Sequence, residues 1–296
     1  MIKVGTDCSG IEAPIEALEQ LGIEYEHVFS SEIDKFAIQS LKANYSPGIL
    51  YGDITKRDVA EVPYVDLYVA GFPCQPFSAF GKNLGFNDMR GIVFFNCMEY
   101  IKTKMPAHFI LENVKNILKS EYFDVIGTEL EKLKELGYNI DVKVLNTCDF
   151  GIPQHRERVY IVGSRMKDIS LEFVKVPMPP VLDFVDHTDN TREFNATFSK
   201  IKNHINERAV FINLSYPYGR KYGNAHIKSC TIVASSKLWN CVKHRKANIT
   251  ELLMLQGFRP TFKQVVSDTQ LRRQIGNSMS VNVLKLIIDH IFTIKL

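Results

Sequence analysis

The sequence lacks the marks of several protein classes. Its six cysteines contain no C-x-x-C pair, which disfavours a zinc site with paired thiols and a disulfide framework. No stretch approaches the roughly 18 consecutive apolar residues of a membrane-spanning helix, and the first residues show no secretory signal. Neither an internal repeat nor a low-complexity tract is present. These absences indicate a globular protein of a reducing compartment.

The composition is that of a folded chain with an uneven charge. Hydrophobic residues make up 45% and charged residues 23% of the 296 positions, enough to bury a core in one large domain or in a large and a small one. The formal net charge is +3, yet residues 187–246 carry eleven Lys and Arg against three acids. Such a segment is typical of a contact with a polyanion, and a solvated basic face is the alternative.

Strand-like and helix-like runs alternate over about the first 165 residues. Strands are predicted over residues 2–6, 25–30, 66–70, 108–112, 140–146 and 158–163. Helices are predicted over residues 13–21, 35–44, 92–102 and 123–136, and later over 249–256 and 281–294. The alternation predicts an α/β fold with a doubly wound, mostly parallel sheet, in which ligands bind at the carboxyl ends of the strands.

Three motifs place reactive side chains at or near such strand ends. Cys74 follows the strand over 66–70, where a thiol of lowered pKa acts as a nucleophile; packing within the turn is the alternative. Glu112 ends an apolar strand, so desolvation is expected to raise its pKa and suit it to act as an acid, unless it caps the next helix. Arg156 and Arg158 are two residues apart on a strand, so their side chains are expected to point to the same face and to converge on an anion or a carbonyl. The alternative is that both lie on the surface of an edge strand.

The first strand leads into a turn that approaches a nucleotide-like ligand closely, Asp7-Cys8-Ser9-Gly10-Ile11-Glu12. With a single glycine, this turn does not match the dinucleotide-binding fingerprint. Glu32 and Asp53 follow later strands, and acids at such positions hold ribose hydroxyls or an adenine amino group. Helix capping is the alternative for both carboxylates.

Together and in order, these pieces resemble the cytosine carbon-5 DNA methyltransferases. The resemblance covers about residues 1–165 and 246–296, and the ordered set of motifs is highly specific. The matching segments are 7–13, Glu32, 52–54, 71–78, 90–91, 112–114, Gln154-x-Arg156-x-Arg158, 250–258 and 274–278. The resemblance implies a Rossmann-like, S-adenosylmethionine-dependent methyltransferase fold with a small target-recognition domain.

The resemblance also implies a reaction. S-Adenosylmethionine is the methyl donor, S-adenosylhomocysteine is the product, and no metal takes part. The acceptor is a cytosine flipped out of double-stranded DNA. Cys74 would add to carbon 6 of the ring, and Glu112 would protonate N3 or hydrogen-bond to it. Arg158 would hold Glu112 or the base in place, with support from Arg156.

Two further sets of residues carry over from the resemblance. Those expected to bind the cofactor are Cys8, Ser9, Gly10, Ile11, Glu32, Ile33, Asp53, Ile54, Phe72, Asn277 and Ser278. Those expected to contact DNA are Ser78, Lys82, Arg90, Arg220, Lys221, Lys237, Lys243 and Arg245. Residues 78–90 resemble a mobile loop that closes over DNA. The basic segment would read bases in the major groove while its cations neutralise phosphates.

The resemblance predicts the organisation and setting of the chain as well. Residues 1–180 would form the catalytic and cofactor-binding domain, 181–245 the target-recognition region, and 246–296 a segment that returns to the catalytic domain. Double-stranded DNA is the expected partner, without a membrane. A cognate restriction endonuclease is a further partner if the enzyme belongs to a restriction–modification system, and a solitary methylase or a phage enzyme is the alternative. The chain is expected to act as a monomer in the cytoplasm of a bacterial or phage-infected cell.

The sequence departs from the family pattern at the cofactor turn. Cys8 stands where the family usually shows Phe, and Glu12-Ala13 stands where it usually shows Gly-Gly. Ile33 occupies the position of an aromatic residue that often stacks on adenine. These changes predict a lower cofactor affinity than is usual, with the nucleophile, the acid and the arginines retained.

The same residues also bear on three alternative functions. A transfer-RNA cytosine methyltransferase shares the chemistry, but Pro76-Phe77-Ser78 after the Pro-Cys-Gln tripeptide favours DNA. A DNA-binding homologue or regulatory subunit without catalysis is compatible with the altered cofactor turn. A zinc cytidine deaminase is excluded, because Phe77 stands where its second zinc-binding cysteine would be.

Overall fold

The computed structural model describes residues 1–73, 92–215 and 225–293. The chain folds as two compact units. Unit 1 comprises residues 1–145, 157–173 and 284–296. Unit 2 comprises residues 146–156 and 174–283.

A seven-stranded sheet dominates the described part of unit 1. Its strands are β1 (Ile2–Asp7), β2 (Tyr25–Ser31), β3 (Ile49–Tyr51), β4 (Leu67–Ala70), β5 (His108–Val114), β6 (Asn139–Asn146) and β7 (Glu157–Ser164). Their order is β3-β2-β1-β4-β5-β7-β6. β1 pairs in parallel with β2 and β4, whereas β7 runs antiparallel to β5. The mostly parallel sheet confirms the predicted α/β fold class.

Helices connect these strands where the sequence predicts them: α1 (Ala13–Leu21), α2 (Lys35–Asn44), α3 (Ile92–Lys104) and α4 (Ser120–Glu135). α1 ends at Gly22, whose φ of 67° suits glycine. α2 begins after Asp34, whose carboxylate accepts from the amides of Phe36 and Ala37. Both helices have the predicted bounds. In the described ranges, no helix has the length and apolar character needed to span a bilayer.

Two glycines within strands make room for aromatic rings of the core. A Cβ atom at Gly5 would lie 2.2 Å from the ring of Phe29, and one at Gly163 would lie 2.1 Å from the ring of Phe109. Both rings are fully buried. Because interiors are close-packed, a larger residue at either glycine would displace a ring. This packing fixes β1 and β5, the strands that lead to the predicted cofactor and catalytic residues.

Unit 2 has a smaller antiparallel sheet and its own core. Its strands are β8 (Phe211–Asn213), β9 (Leu238–Asn240) and β10 (Arg245–Lys246). Its helices are α5 (Ala196–Ile201), α6 (Ile249–Gln256) and α7 (Asp268–Asn277), whereas α8 (Val281–Phe292) begins in unit 2 and belongs mostly to unit 1. Trp239 is 1% exposed and packs on Phe198, with ring centroids 5.3 Å apart. The sequence predicts no regular elements in the region of this sheet.

The division into units differs from the predicted domain boundaries. Residues 246–283 belong to unit 2 rather than to a segment returning to the catalytic domain. Glu251 of α6 gives the physical reason, because its buried carboxylate accepts from Asn240 of β9 and from Arg245 of β10. These bonds fix α6 to the small sheet.

Candidate active site

The turn after β1 has a left-handed backbone at alternate residues. The φ angle is 53° at Cys8, 55° at Gly10 and 60° at Glu12. The amide of Ser9 donates to the carbonyl of Ser31, at the end of β2, with a distance of 3.0 Å. Burial raises the pKa of the Cys8 thiol well above its ordinary value, so this thiol is neutral. The hydrogen bond from Ser9 to Ser31 ties the turn to the end of the parallel strand β2.

Glu32 lies directly after β2, where the sequence predicts a ribose-binding carboxylate. Its Oε2 accepts from the amide of Gly10 at 2.8 Å. Its Oε1 accepts from the amides of Ile33 and Asp34, each at 2.8 Å. Burial raises the pKa of Glu32 above its usual value, and these backbone hydrogen bonds oppose that shift. A carboxylate has about four acceptor sites, so room remains for a hydroxyl group.

Asp53 and two isoleucines lie near the ends of the strands beyond the turn. Asp53 follows β3 and accepts from the hydroxyl and the amide of Thr55, which lowers the pKa of Asp53. Ile33 is 74% exposed, whereas Ile54 is 5% exposed and belongs to the core. Of the two isoleucines predicted to contact adenine, Ile33 therefore offers the apolar surface.

This edge of the sheet has the chemistry that the predicted cofactor requires. β1, β2 and β3 are parallel neighbours, so their carboxyl ends meet at one edge. A Cβ atom at Gly10 would meet no heavy atom within 4 Å, which shows open space at the turn. Glu32 and Asp53 supply acceptors for hydroxyl and amino groups, so the residues fit an adenosine-containing cofactor. In the part of the chain that the structure describes, no group of His, Cys, Asp or Glu is placed to hold a metal ion.

The backbone that leads to the predicted nucleophile is held by the neighbouring strand. Six predicted residues lie outside the described ranges: Cys74, Ser78, Lys82, Arg90, Arg220 and Lys221. Asn113 of β5 donates from its side chain to the carbonyl of Phe72 at 3.0 Å. The Phe72 ring packs on Phe94, with centroids 5.2 Å apart. Asn113 was assigned no role from the sequence, although Asn113 directly follows Glu112 in a segment that matches the methyltransferase family and could have been assigned a role on that ground.

Glu112 and Arg158 form a nearly buried pair. The antiparallel register sets Arg158 opposite Val114, two residues from Glu112 and on the same face of the sheet. Nε of Arg158 lies 3.2 Å from Oε1 of Glu112, and the two side chains are 12% and 10% exposed. Nη1 of Arg158 also donates to the carbonyl of Glu157 at 2.8 Å. The structure thus brings together the predicted acid and one predicted arginine.

Arg156 has partners other than those that alternation along a strand predicts. β7 begins at Glu157, so Arg156 precedes the strand and does not share its two-residue alternation. Arg156 is 2% exposed. Its guanidinium donates to the carbonyls of Ile232 and Ser278 at 2.6 Å and of Gly276 at 3.4 Å. Arg156 thereby fixes the backbone that follows α7.

Asn277 and Ser278 lie at the end of α7 in unit 2. Asn277 is exposed, whereas Ser278 is 8% exposed. The carbonyl of Ser278 accepts from Gln256 at 2.7 Å as well as from Arg156. Contact of these two residues with the cofactor stays a prediction.

The predicted DNA contacts in the described part of unit 2 differ in their surroundings. Lys237 is exposed. Nζ of Lys243 donates to Oδ1 of Asn190 at 3.0 Å and to a backbone carbonyl. Arg245 differs from its prediction, because it is 1% exposed and donates to both carboxylate oxygens of Glu251 at 2.9 Å. A buried guanidinium with its charge neutralised offers no surface to a phosphate.

Comparison with known proteins places the chain among cytosine methylases. Residues 7–293 match the family of C-5 cytosine-specific DNA methylases. The chain is 35% identical over 300 residues to the type II methyltransferase M.NlaX of Neisseria lactamica, covering 98% of this chain and 96% of that protein. It is 37% identical over 268 residues to the type II methyltransferase M.NgoBI of Neisseria gonorrhoeae, covering 88% of this chain and 84% of that protein.

Solved methyltransferase structures share the fold. The methyltransferase EhMeth of Entamoeba histolytica is similar with a TM-score of 0.77 at 17% identity, over 99% of this chain and 98% of that chain. A mutant of DNMT2 from Spodoptera frugiperda is similar with a TM-score of 0.74 at 18% identity, over 99% of this chain and 100% of that chain. This likeness confirms the predicted methyltransferase fold. Because the family match spans almost the whole chain, the protein belongs to the C-5 cytosine-specific DNA methylases and is a DNA (cytosine-5)-methyltransferase.

Proposed function

We propose that this methyltransferase transfers a methyl group from S-adenosylmethionine to carbon 5 of a cytosine flipped out of a short double-stranded DNA sequence. The observation that carries the proposal is the nearly buried Glu112–Arg158 pair, with atoms 3.2 Å apart. Glu112 lies on β5, whose Asn113 holds the backbone leading to Cys74, and Arg158 lies on the neighbouring β7. Extruding a base costs a few kcal/mol, and paired polar groups that bond its Watson–Crick edge offset part of that cost.

The chemistry begins from a poor nucleophile, because the cytosine ring is electron-poor. The thiolate of Cys74 forms a bond to carbon 6, and the electron pair of the 5,6 double bond becomes available at carbon 5. Glu112 gives a proton or hydrogen bond to N3, and Arg158 holds Glu112 in place. Carbon 5 would take the methyl group as the sulfonium–methyl bond of the donor breaks and S-adenosylhomocysteine leaves with that electron pair, and carbon 5 would then lose its proton to water. The bond between sulfur and carbon 6 breaks, which restores the aromatic ring and the thiolate, and N3 returns its proton to Glu112.

S-Adenosylmethionine supplies an electrophilic methyl group when it is bound. Glu32 would accept from the ribose hydroxyls, Asp53 from the adenine amino group, and Ile33 would contact the adenine face. The turn over residues 8–11 would pass close to the methionine part. The fit of this edge of the sheet supports these roles, while Phe72, Asn277 and Ser278 remain predicted neighbours, and Ile54 packs in the core behind the site.

The DNA contacts follow from the basic segment. The exposed side chain of Lys237 is suited to neutralise a phosphate, and Lys243 would do so after giving up its contact with Asn190. The relatives are named type II methyltransferases, which supports a role in restriction–modification with a cognate endonuclease. We propose that the chain acts there as a monomer in the cytoplasm.

Bisulfite sequencing of DNA from bacteria that express the chain tests the reaction. We expect 5-methylcytosine at one short sequence motif, and we expect Cys74→Ala to abolish it without unfolding the protein. Cys230→Ala is the matched control, because burial raises the pKa of that thiol to about 11 and keeps it protonated. Methylation should persist in this control. Methylation by the Cys74→Ala protein would contradict the assignment of the nucleophile.

A duplex with 5-fluorocytosine at the target distinguishes catalysis from DNA binding alone. Fluorine does not leave carbon 5 as a proton does, so Cys74 should stay bonded to carbon 6 after methyl transfer. We expect a covalent complex with the wild-type chain and none with Cys74→Ala. Duplex binding without a covalent complex at saturating cofactor would favour a non-catalytic homologue. Transfer RNA assayed in parallel should remain unmethylated.

A further inference from the structure

Glu12 is the least expected residue of the cofactor turn. It stands where the family usually shows glycine, and its φ of 60° lies in the left-handed region that glycine adopts without strain. The residue is 0% exposed. A polar side chain in an unfavourable backbone conformation and away from water is kept there by specific contacts.

These contacts form a chain of buried polar groups. Oε1 of Glu12 accepts from Oγ1 of Thr6 at 2.8 Å and from Oγ of Ser30 at 2.6 Å. Oγ1 of Thr6 lies 2.7 Å from Oγ of Ser9, and Nε2 of His27 lies 2.8 Å from Oγ of Ser30. None of the five residues is more than 8% exposed. The contacts therefore run from His27 through Glu12 to Ser9 of the cofactor turn.

The hydroxyl protons set the direction of these bonds. Thr6 and Ser30 have one hydroxyl proton each, and both donate it to Glu12. Where Ser9 bonds to Thr6, Ser9 is therefore the donor, and Nε2 of His27 donates to Ser30. The bonds from Thr6 and Ser30 point towards the carboxylate, and the Ser9 hydroxyl also donates to the backbone carbonyls of Thr6 at 3.1 Å and Ser31 at 3.2 Å. A residue at position 12 that accepts no hydrogen bond would leave two buried hydroxyl protons unpaired.

Ser9 connects this chain of bonds to the cofactor site. Its Oγ accepts from the amide of Ser31 at 3.1 Å, directly before Glu32. We propose that Glu12 is a positioning residue for the cofactor. Through Thr6 and Ser9 its carboxylate holds the turn in the conformation that receives S-adenosylmethionine, without touching the cofactor. This role rests on the proposed function.

The test compares Glu12→Ala, Glu12→Gln and Glu16→Ala in the full chain. Glu16 is 2% exposed and accepts from Tyr45 at 2.8 Å and from Gln20 at 2.7 Å. Its replacement removes a comparable buried carboxyl group four residues later, within α1, and removes no side-chain contact with the turn. Amide hydrogen exchange of residues 9–10 is measured without ligand, and calorimetry gives the Kd of S-adenosylhomocysteine. Steady-state methylation gives KM for S-adenosylmethionine and kcat.

We expect Glu12→Ala to speed amide exchange in the turn and to raise Kd and KM roughly tenfold, with kcat within about twofold, since the two hydrogen bonds that Glu12 accepts are lost. Glu12→Gln should stay within about threefold of wild type, because its amide oxygen still accepts from both hydroxyls. Glu16→Ala should destabilise the protein and leave Kd and exchange in the turn unchanged. Equal effects of Glu12→Ala and Glu16→Ala on Kd, or no effect of Glu12→Ala, would overturn the role of Glu12.

Thr6→Val is a second variant for the case in which Glu12→Ala does not fold. It keeps the shape of the side chain and removes the hydroxyl that joins Glu12 to Ser9, so Kd and exchange should rise in the same direction. Unchanged values would overturn the proposal. A wild-type chain that binds S-adenosylhomocysteine and methylates no DNA contradicts the proposed function alone. A wild-type chain that does not bind S-adenosylhomocysteine overturns both.

Discussion

Each unit contains a glutamate paired with an arginine, and the two pairs differ in how completely the protein encloses them. Glu251 of unit 2 is 0% exposed. Its donors include the side chains of Arg245 and Asn240 and the backbone amides of Asp186 and Asn248. Glu112 of unit 1 pairs with Arg158, and the two side chains remain 10% and 12% exposed.

The difference separates a structural pair from a catalytic candidate. A carboxylate whose acceptor sites are filled by protein donors has none left for a ligand, and it serves to neutralise its buried arginine. A carboxylate that a guanidinium holds at a strand end, with part of its surface accessible, is able to bond a base. Residue type is the same in both pairs, so enclosure decides the role.

Among these variants, Glu112→Gln should have the largest effect, and this effect should be on the rate of methylation. Gln keeps the size and a hydrogen bond but transfers no proton, so methylation should slow about 10³-fold. The free energy of unfolding should change by about 1 kcal/mol or less. Single-turnover methylation and urea unfolding measure the two. Glu157→Gln is the control, because Glu157 is 36% exposed, pairs with Lys115 at 3.2 Å and should be nearly silent. A rate within about tenfold of wild type would assign proton transfer to another group.

Glu251→Ala should act on stability instead. It removes the buried carboxylate that bonds Arg245 through two nitrogens and leaves that guanidinium only the partly exposed Asp189, which costs about 3 kcal/mol of unfolding free energy. The kcat of the folded fraction should stay near that of wild type. Replacing both members, Arg245→Met with Glu251→Leu, should recover much of the loss, because no fully buried charge is then left unpaired and Asp189 is 24% exposed. Loss of kcat at full stability would mean that this pair, too, belongs to the reaction.

Arg156→Lys should separate the two predicted arginines. A lysine ammonium does not reproduce the planar fork that donates to the carbonyls of Ile232 and Ser278, so we expect a loss of about 2 kcal/mol in stability. Arg158→Lys should change the methylation rate more than the stability, because it acts on Glu112. Urea unfolding and single-turnover rates of both variants check this contrast. If Arg156→Lys slows methylation at wild-type stability, Arg156 supports catalysis as predicted from the family.

Local signals in the sequence were sufficient for most of unit 1. The capping carboxylate of Asp34 and the glycine at position 22 set helix ends at the predicted residues. Signals were weaker for β3, which has three residues, and for α7, which has few apolar positions. A signal for α7 was nonetheless present, because Ser267 caps a run in which Leu271 and Ile275 are four residues apart and buried.

Long-range contacts account for what the sequence did not predict. Arg245 was predicted to bind DNA because the number of charges in a segment does not show that Arg245 is bonded to Glu251, six residues later. Arg156 and Arg158 are two residues apart, but the strand begins between them, so their side chains have separate partners. The antiparallel pairing of β5 with β7, which brings Arg158 to Glu112, is likewise absent from any local pattern.

Asp189→Asn should have the smallest effect, at the rim of the Glu251 cluster. Asp189 lies 3.1 Å from Nε of Arg245, with its side chain 24% exposed. Hydrogen bonds from Thr191 and Asn248 lower its pKa to about 2. Because the pKa is lower in the folded state than the unfolded value of about 3.9, this group stabilises the fold above about pH 4 and less as the pH falls towards 2.

The free energy of unfolding of the Asn variant should therefore be lower by about 1 kcal/mol or less at neutral pH. The loss is small because solvent screens the pair of Asp189 with Arg245. Its stability should also fall less steeply than that of wild type below about pH 4. Urea unfolding between about pH 3 and 7 measures both. An equally steep fall in the variant would show that acid acts on the cluster through a carboxylate other than Asp189, such as Asp186, whose pKa is lowered by hydrogen bonds from Thr188 and Asn248.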